Sequence, residues 1–250
     1  MMDIPRMINK KSDHAFLTPA VVLKAMIYIN ILMFVISLIY SGRNMTISLN
    51  PFFAFTPSMD VLNFLGASGR LPIVKFEAWW SLVTANWLHG GLLHIIFNML
   101  ALRTVAPLVM EEFGVCRMFS IYTLTGISGF LLSYIGNVDL TIGASSGICG
   151  LIGALLFFGK SRGGEWGKLV YKQTTGWVVS LILVGFLMPN INNWSHAGGL
   201  FSGIFFGWMM GYDEKRKEIF FDRSLAFVFL SLTLWLLARS VINGFLLIFT

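Results

Sequence analysis

Charged residues are scarce in this chain, and their scarcity excludes a soluble globular protein. Only 12% of the 250 residues are Asp, Glu, Lys or Arg, whereas soluble domains carry about 25%. Hydrophobic residues account for 56% of the sequence, and the mean hydropathy is +0.75. Length and composition therefore predict one membrane domain that lies in a lipid bilayer, without a separate soluble module.

Cysteine is equally rare, and the basic residues do not form a nucleic-acid-binding pattern. The two cysteines, Cys116 and Cys149, both lie in apolar segments, which is typical of reduced, buried residues rather than of a disulfide. The net charge of +6 is not arranged as a basic stripe interleaved with aromatic residues. It therefore indicates basic cytoplasmic loops, and no nucleic-acid partner is expected.

Long apolar runs predict an all-α, polytopic membrane protein, because several approach the length of about 20 residues that spans a bilayer. Seven helices are predicted, at residues 20–40, 87–109, 116–136, 143–159, 174–188, 195–212 and 224–248. The fourth and fifth are short for a complete span. We therefore expect the first residues of the fourth helix to lie below the lipid surface.

These helices divide the chain into four regions. They are an N-terminal tail (1–19), a six-helix membrane domain (20–212), a connecting loop (213–223) and an additional C-terminal transmembrane helix (224–250). The tail is polar and lacks the pattern of a cleavable signal peptide. The first loop, 42–86, is too long to be unstructured. Its apolar and aromatic stretches, Pro51-Phe52-Phe53-Ala54-Phe55 and Trp79-Trp80, predict a compact subdomain at the membrane interface.

Lysine and arginine are distributed unevenly between the loops on the two sides of the membrane. The richer set of loops contains Arg6, Lys10, Lys11, Arg103, Arg117, Lys160, Arg162, Lys168, Lys172, Lys215, Arg216, Lys217 and Arg223, whereas the other set contains Arg43, Arg70 and Lys75. The positive-inside rule therefore predicts a cytoplasmic N-terminus and, after seven spans, a C-terminus outside. Helices two, four and six then begin on the outer side. Arg239 lies within the last helix, and either snorkelling or a partner residue would accommodate it.

Polar residues occupy those three outer helix starts, and polar residues in membrane helices indicate function because they are costly there. Ser145 begins the fourth helix and His196 begins the sixth. A serine needs a nearby base to become a nucleophile, and His196 is the candidate base. His94 and Asn98 on the second helix are four residues apart and share a face, so both can donate hydrogen bonds to an oxyanion. The backbone N–H of Ser145 is a third donor.

These motifs together resemble the rhomboid family of intramembrane serine proteases. The resemblance lies in His89-x4-His94-x3-Asn98, Gly143-Ala144-Ser145, His196-x2-Gly199 and Trp80-Ser81-Leu82-Val83-Thr84-Ala85, in that family's order and spacing. It covers roughly residues 20–212. The seventh helix resembles the C-terminal helix that some members of the family add.

The resemblance implies a six-helix core around a water-filled cavity that opens outward. It implies a Ser145–His196 catalytic dyad without an acid, and an oxyanion site at His94 and Asn98. Supporting roles are implied for His89, Gly143 and Gly199. Neither a metal nor a cofactor is implied. The substrates would be single-span membrane proteins with a locally unstable helix near the outer leaflet, cleaved through an acyl-enzyme. We expect an integral, multi-pass protein of a prokaryotic inner membrane, and the oligomeric state stays open.

Four residues depart from the family's usual pattern. Ser146 stands where Gly is frequent, Ser81 where Arg is frequent, and Ser195 where Ala is frequent. Cys149 stands where an aromatic side chain usually packs against the base. Without that ring, the sequence leaves open which contacts orient His196. The nearest acid in the sequence, Asp139, is expected to be a loop residue.

Two other serines compete with Ser145 for the role of nucleophile. Gly66-Ala67-Ser68-Gly69 matches a G-x-S-G pattern, but no apolar helix follows it. Ser146 is closer, and the family's spacing from the serine to Gly150 favours Ser145. Successive helical residues point about 100° apart, so only one of the two can face the base well. Gly143-x-Ser145-x-Gly147 also fits the nucleophile elbow of α/β-hydrolases, but that motif requires a preceding strand.

Other interpretations of the same residues predict different structures. A serine bonded to its own helix is common in membrane helices, and His89 is expected to tie the first loop to the second helix by hydrogen bonding. A metal site at the three histidines would normally include a carboxylate or a His-Glu-x-x-His motif, and neither is present. The small-residue face Gly199-x3-Gly203-x3-Gly207 predicts close packing on the fourth helix at Gly150, Gly153 and Ala154, or else dimerisation.

Two further classes of protein compete with a protease. A catalytically inert rhomboid-like protein that binds membrane proteins would be expected to lack the serine or the histidine, and both are present here. A small-solute transporter would usually show internal repeats and helices broken at the midplane. The sequence contains no tandem repeat, so the protease is the preferred hypothesis.

Overall fold

A computed structural model describes residues 18–50, 53–187 and 191–249. Within these ranges every regular element is a helix, apart from two isolated β-bridges, Thr46–Thr56 and Ser68–Thr141. The α-helices in chain order are α1 (Pro19–Ser41), α2 (Met59–Leu65), α3 (Arg70–Phe76), α4 (Ser81–Thr84), α5 (Leu92–Phe113), α6 (Val115–Ile135), α7 (Ser145–Arg162), α8 (Gly164–Leu187), α9 (Asn193–Met210) and α10 (Phe220–Phe249). The predicted tail lies outside the described residues up to residue 17.

In the described part of the chain, seven long helices follow one another in the order that the sequence predicts. They are α1 and α5 to α10, each of 18 residues or more. Five of them are long and apolar enough to cross a membrane, and α7 and α9 are not among these five. Glycine and serine lower the hydropathy of α7 and α9. Most of α7 is buried against other helices, so its surface does not have to match lipid.

Three helices begin four or more residues away from their predicted starts, whereas the other four begin within two residues of them. α5 begins at Leu92 rather than at 87, because 85–87 form a 3-10 turn and Leu88 is extended. α8 begins at Gly164 rather than at 174: Gly163 and Gly164 both have positive φ, and the turn from α7 is made there. Lys168 and Lys172 lower the hydropathy of the first part of α8 without interrupting the helix.

The last helix also begins early, at Phe220 rather than at 224. The Asp222 carboxylate accepts a hydrogen bond of 2.9 Å from the backbone N–H of Ile219. This contact satisfies one of the amides that a helix N-terminus leaves unpaired, and an acidic side chain suits that end of the helix dipole. The connecting loop that was predicted at 213–223 is therefore shorter.

The first loop is a set of short helices packed against the core. Leu62, Leu65 and Ala67 are all buried. The loop is also joined to the segment before α7 by the bridge between Ser68 and Thr141. Of the predicted aromatic stretch, Pro51 and Phe52 lie outside the described residues. The α2–α4 segment therefore holds the 141–144 segment and the start of α7 in place.

Close packing of α9 on α7 confirms the predicted role of the glycine face. A Cβ atom at Gly199 would clash with the Ser146 carbonyl oxygen, and one at Gly203 would clash with the Gly150 carbonyl oxygen. At Gly207 the added atom would lie 3.0 Å from the Ala154 Cα. Glycine lets two backbones approach where any other residue would separate them. The N-terminal turns of α7 and α9 consequently lie side by side.

Candidate active site

The candidate nucleophile and the candidate base are brought together by this packing. Ser145 is the first residue of α7, and His196 lies in the first turn of α9. The Ser145 Oγ lies 2.9 Å from the His196 Nε2, within hydrogen-bonding distance. Both side chains are partly exposed, so the pair is accessible at one end of the bundle. A serine hydroxyl in this geometry can pass its proton to an unprotonated imidazole nitrogen.

His94 faces the same place from α5, across Gly143. Its Nδ1 accepts a hydrogen bond of 3.3 Å from the backbone N–H of Gly90. Because Nδ1 accepts, the neutral ring carries its proton on Nε2. A Cβ atom added to Gly143 would lie 2.7 Å from that Nε2 and 3.7 Å from the Ser145 Oγ. The absence of a side chain at Gly143 thus leaves a space between the His94 Nε2–H donor and the serine hydroxyl.

Asn98 and His89 both contact His94. The Asn98 Nδ2 donates a hydrogen bond of 2.9 Å to the His94 carbonyl oxygen, which occupies one of its two amide hydrogens. The His89 ring is buried and contacts the His94 ring edge-on, with centroids 5.1 Å apart. Neither ring nitrogen of His89 has a hydrogen-bond partner among the described residues. Its contact with the site is therefore a ring contact, and not the hydrogen bond that was expected for it.

The two competing serines have structural partners. The Ser146 Oγ is fully buried and lies 3.2 Å from the Thr125 carbonyl oxygen and 3.3 Å from the Ser195 carbonyl oxygen, so it links α7 to α6 and α9. The Ser68 Oγ is also fully buried and accepts a hydrogen bond of 3.1 Å from the Ser81 Oγ. Ser81, which stands where Arg is frequent in the family, thus supplies a hydrogen-bond partner for Ser68 inside the first loop.

The departure at Cys149 leaves an apolar cavity beside the histidine. The cavity has a volume of about 240 Å³ and lies between α7, α8 and α9, with His196 and Cys149 in its wall. The described part of the chain provides no hydrogen-bond partner for His196 Nδ1, which is buried. The backbone of Asp139 contacts the first loop, where its carbonyl oxygen accepts from the Leu71 N–H. Within the described ranges, therefore, no acid holds the imidazole through Nδ1, and Cys149 supplies no aromatic ring at its own position.

Asn192 is a residue of the site that the sequence analysis did not select. It is the N-cap of α9, and its side chain contacts two elements besides its own helix. The rule that Asn favours N-cap positions could have found the cap four residues before His196. The other contacts could not have been found in this way, because their partners are 51 and 59 residues away in the sequence.

No group of three or more His, Cys, Asp or Glu side chains that could hold a metal ion occurs within the described ranges. What the site does contain is a serine hydroxyl, an imidazole acceptor and an N–H donor around a common space. Fold and site together define a polytopic helical membrane protein with a Ser–His pair near one end of its helices.

Comparison with known proteins names the family. Residues 77–213, more than half of the chain, match the model of the rhomboid domain. This stretch contains both Ser145 and His196. The chain belongs to the rhomboid family, and it is a multi-pass membrane protein.

The relatives include plant and bacterial proteins. RHOMBOID-like protein 5 of Arabidopsis thaliana is 31% identical over 188 residues, which cover 65% of this chain and 59% of that protein. RHOMBOID-like protein 6, mitochondrial, of the same plant is 30% identical over 68% of this chain and 57% of its own length. Rhomboid protease GluP of Bacillus subtilis (strain 168) is 34% identical over 151 residues, covering 58% of this chain and 29% of that protein. The chain thus spans less than two thirds of each of these relatives.

Proposed function

We propose that the chain is an intramembrane serine endopeptidase that works through a Ser145–His196 dyad and an acyl-enzyme intermediate. The observation that carries this proposal is the 2.9 Å distance between Ser145 Oγ and His196 Nε2. Two residues from helices far apart in the sequence meet with the separation that proton transfer requires. The name of the Bacillus subtilis relative, a rhomboid protease, supports the same activity.

In the proposed first half-reaction, Ser145 Oγ attacks the carbonyl carbon of the scissile peptide bond while His196 Nε2 takes the hydroxyl proton. The carbonyl oxygen becomes an oxyanion in the space over Gly143, where His94 Nε2–H donates a hydrogen bond to it. The carbon–nitrogen bond then breaks, and His196 returns the proton to the departing amine. The product is an ester between the substrate's carbonyl carbon and Ser145.

In the second half-reaction a water molecule replaces the amine. His196 Nε2 removes a proton from the water, the resulting hydroxide attacks the ester carbon, and the oxyanion forms again in the same space. Collapse of this intermediate breaks the ester bond, and the proton on His196 returns to Ser145 Oγ. Each cycle thus consumes one water and restores both residues.

The proposed substrates are single-span membrane proteins, cleaved near the outer leaflet where a helix unwinds locally. The site lies at the helix starts that the positive-inside rule assigns to the outer side, with the N-terminus in the cytoplasm. A prokaryotic inner membrane is our proposed location. Reporter fusions to the two termini and to the 213–219 loop, made in a bacterial host, would test this orientation.

The first experiment is cleavage of a single-span model substrate by the purified protein in liposomes. Wild type is compared with Ser145→Ala, Ser146→Ala and Ser68→Ala. We expect wild type to cut the substrate and Ser145→Ala to fall to background, because the nucleophilic oxygen is removed. Ser146→Ala and Ser68→Ala lose only structural hydrogen bonds, each worth about 1 kcal/mol, and should still cut.

Two outcomes would contradict the proposal. Loss of cleavage in Ser146→Ala with retention in Ser145→Ala would move the nucleophile by one residue. Absence of cleavage by folded wild type, across several substrates with unstable helices, would favour the alternative of a catalytically inert rhomboid-like protein that binds membrane proteins.

A further inference from the structure

The position of His196 depends on how the first turn of α9 is held. Its Nδ1 has no hydrogen-bond partner within the described part of the chain, and Cys149 stands where an aromatic ring could have packed. Among the described residues the hydrogen bond of the imidazole is to Ser145, so the separation of the two groups depends on where the helix places the ring. Four residues before His196, at the N-cap of α9, lies Asn192.

The Asn192 side chain uses all of its usual hydrogen-bonding groups. Its Oδ1 accepts a bond of 3.1 Å from the backbone N–H of Ser195, which caps α9. Its Nδ2 donates two further bonds, each of 2.8 Å, to Ser133 Oγ and to Thr141 Oγ1. An amide has one oxygen and two N–H groups, and here each of the three has a partner. The backbone carbonyl of Asn192 also accepts from the His196 N–H at 3.2 Å.

The two acceptors of these bonds are themselves held firmly. Ser133 is fully buried at the end of α6, where its hydroxyl donates 2.8 Å to the Gly129 carbonyl oxygen. Thr141 exchanges two backbone hydrogen bonds with Ser68, of 2.7 and 3.0 Å. Thr141 is also four residues before Ser145, in the segment that leads into α7. One amide thus joins the start of α9 to a fixed point on α6 and to the segment that places the serine.

We propose that Asn192 is a positioning residue that holds His196 within hydrogen-bonding distance of Ser145. This inference rests on the proposed function, because the positioned pair is the proposed dyad. An N-cap alone would need only an acceptor, which Ser or Asp supplies equally well. The two donated bonds go beyond a cap: they set the distance between the helix that carries the base and the segment that leads to the nucleophile.

The test separates the cap from the two donated bonds. Asn192→Ser keeps an acceptor for the Ser195 N–H but loses the donors to Ser133 and Thr141. The pair Ser133→Ala with Thr141→Val removes the acceptors instead and leaves Asn192 in place. For both proteins we expect kcat for the model substrate to fall about tenfold or more with little change in KM, since misplacing reacting groups by 1 Å can cost about a hundredfold.

Combining the three substitutions completes a double-mutant cycle. We expect no further loss of kcat in the triple variant, because its members remove the same two bonds. Ser202→Ala is the matched control: among the described residues, this α9 hydroxyl bonds only to the Gly198 and Gly199 carbonyl oxygens of its own helix, at 2.6 and 3.1 Å. It should retain the wild-type kcat. Wild-type kcat in Asn192→Ser, or a loss that only follows the fraction of unfolded protein, would overturn the inference.

A second measurement does not depend on proteolysis. Hydrogen exchange of the amides in the first turn of α9 should be faster in Asn192→Ser and in the Ser133→Ala, Thr141→Val pair than in Ser202→Ala. Unchanged exchange in both would overturn the positioning role. If wild type cleaves no substrate while these amides still exchange faster, the proposed function fails and the linkage through Asn192 stands.

Discussion

At the scale of single residues, the two candidate oxyanion donors differ in whether their side-chain N–H groups already donate hydrogen bonds. His94 carries its proton on Nε2 because Nδ1 accepts from the Gly90 N–H, and that Nε2 faces the space over Gly143. Asn98 already donates to the His94 carbonyl oxygen within its own helix. Its side chain therefore supports the turn that holds His94, and its second amide hydrogen is its remaining donor.

This difference predicts a ranking of two variants. His94→Ala should lower kcat for the model substrate by about a hundredfold to a thousandfold, the usual cost of removing an oxyanion donor. Asn98→Ala should lower it less, since it removes a bond that positions the donor. Steady-state kinetics of both variants, with circular dichroism to show that they are folded, measures the ranking. A larger loss in Asn98→Ala would mean that Asn98, rather than His94, is the main donor.

Gly143 shows how one backbone conformation supports the site. Its φ of +125° lies in a region that residues with a side chain rarely adopt. Its N–H donates a 2.9 Å hydrogen bond to the Ala85 carbonyl oxygen, which fixes the peptide against the end of the first loop. The glycine thus provides both the turn into α7 and the open space in front of Ser145.

At the scale of helices, the contact between α7 and α9 controls the separation of Ser145 and His196. Gly203 lies in the middle of that contact, where an added Cβ would meet the Gly150 backbone. Backbone cannot rotate away as a side chain can, so the helices would have to separate.

We therefore expect Gly203→Ala to destabilise the protein by about 1–3 kcal/mol, as overpacking of a tight interface does, and to lower kcat in the fraction that stays folded. The matched control is Gly176→Ala on α8, where an added Cβ has nothing within 4 Å. Thermal unfolding in detergent and cleavage in liposomes measure the two effects. Equal behaviour of the two variants would show that the α7–α9 contact tolerates separation.

The order and number of the long helices could be predicted from the sequence, because apolar length and small-residue spacing are local properties. The glycine face on α9 and its partner on α7 were found in the same way. The start of α8 was missed because hydropathy falls at Lys168 and Lys172, whereas backbone hydrogen bonding continues through them. Hydropathy reports which segment prefers lipid, and it does not report where a helix extends into water.

For the site, the proximity of Ser145 and His196 could be predicted because both residues lie in recognisable motifs. The contacts of Asn192 could not, since nothing near it in the sequence points to Ser133 or Thr141. The same holds for the contact of Arg239 with the Trp80 ring, whose centroid lies 5.8 Å from the guanidinium. The Trp235 ring, at 6.0 Å, lies four residues before Arg239 on the same helix, so this contact follows from local spacing. The partners of polar side chains in a helical bundle depend on which helices become neighbours, and only the folded structure fixes that.

At the scale of the whole molecule, α10 is attached to the core at both ends. Near its C-terminal part, the Tyr40 hydroxyl of α1 donates 3.0 Å to the Val241 carbonyl oxygen. At its start, Asp222 accepts hydrogen bonds of 2.7 and 2.9 Å from the Arg216 guanidinium and lies 3.8 Å from the Arg117 Nε. The hydrogen bonds to Asp222 raise the pKa of the Arg216 side chain, which stabilises its charged form.

Arg117 makes this second attachment costly to break. Its side chain is fully buried at the start of α6, where the guanidinium also donates to the Gly211 and Arg216 carbonyl oxygens. The cluster therefore joins α6, the end of α9 and the start of α10 at the end of the bundle away from Ser145. A buried charge is tolerated only while it is paired.

Removing one partner should consequently destabilise the fold without altering the chemistry. We expect Asp222→Ala to lower the free energy of unfolding by about 3–5 kcal/mol, because the buried Arg117 guanidinium then loses one of the two carboxylates near it among the described residues and keeps Asp213, 3.7 Å from its Nη2. Replacing both residues, Arg117→Met with Asp222→Ala, should recover part of that loss, since no buried charge is then left unpaired.

Glu165→Ala is the control, because the Glu165–Lys168 pair is exposed and such pairs contribute little. Denaturant unfolding gives the stabilities, and kcat measured on the folded fraction should stay near wild type. If Asp222→Ala instead lowers kcat while the stability is retained, the cluster is coupled to the dyad along α6 and α9, and α10 is more than an attached helix.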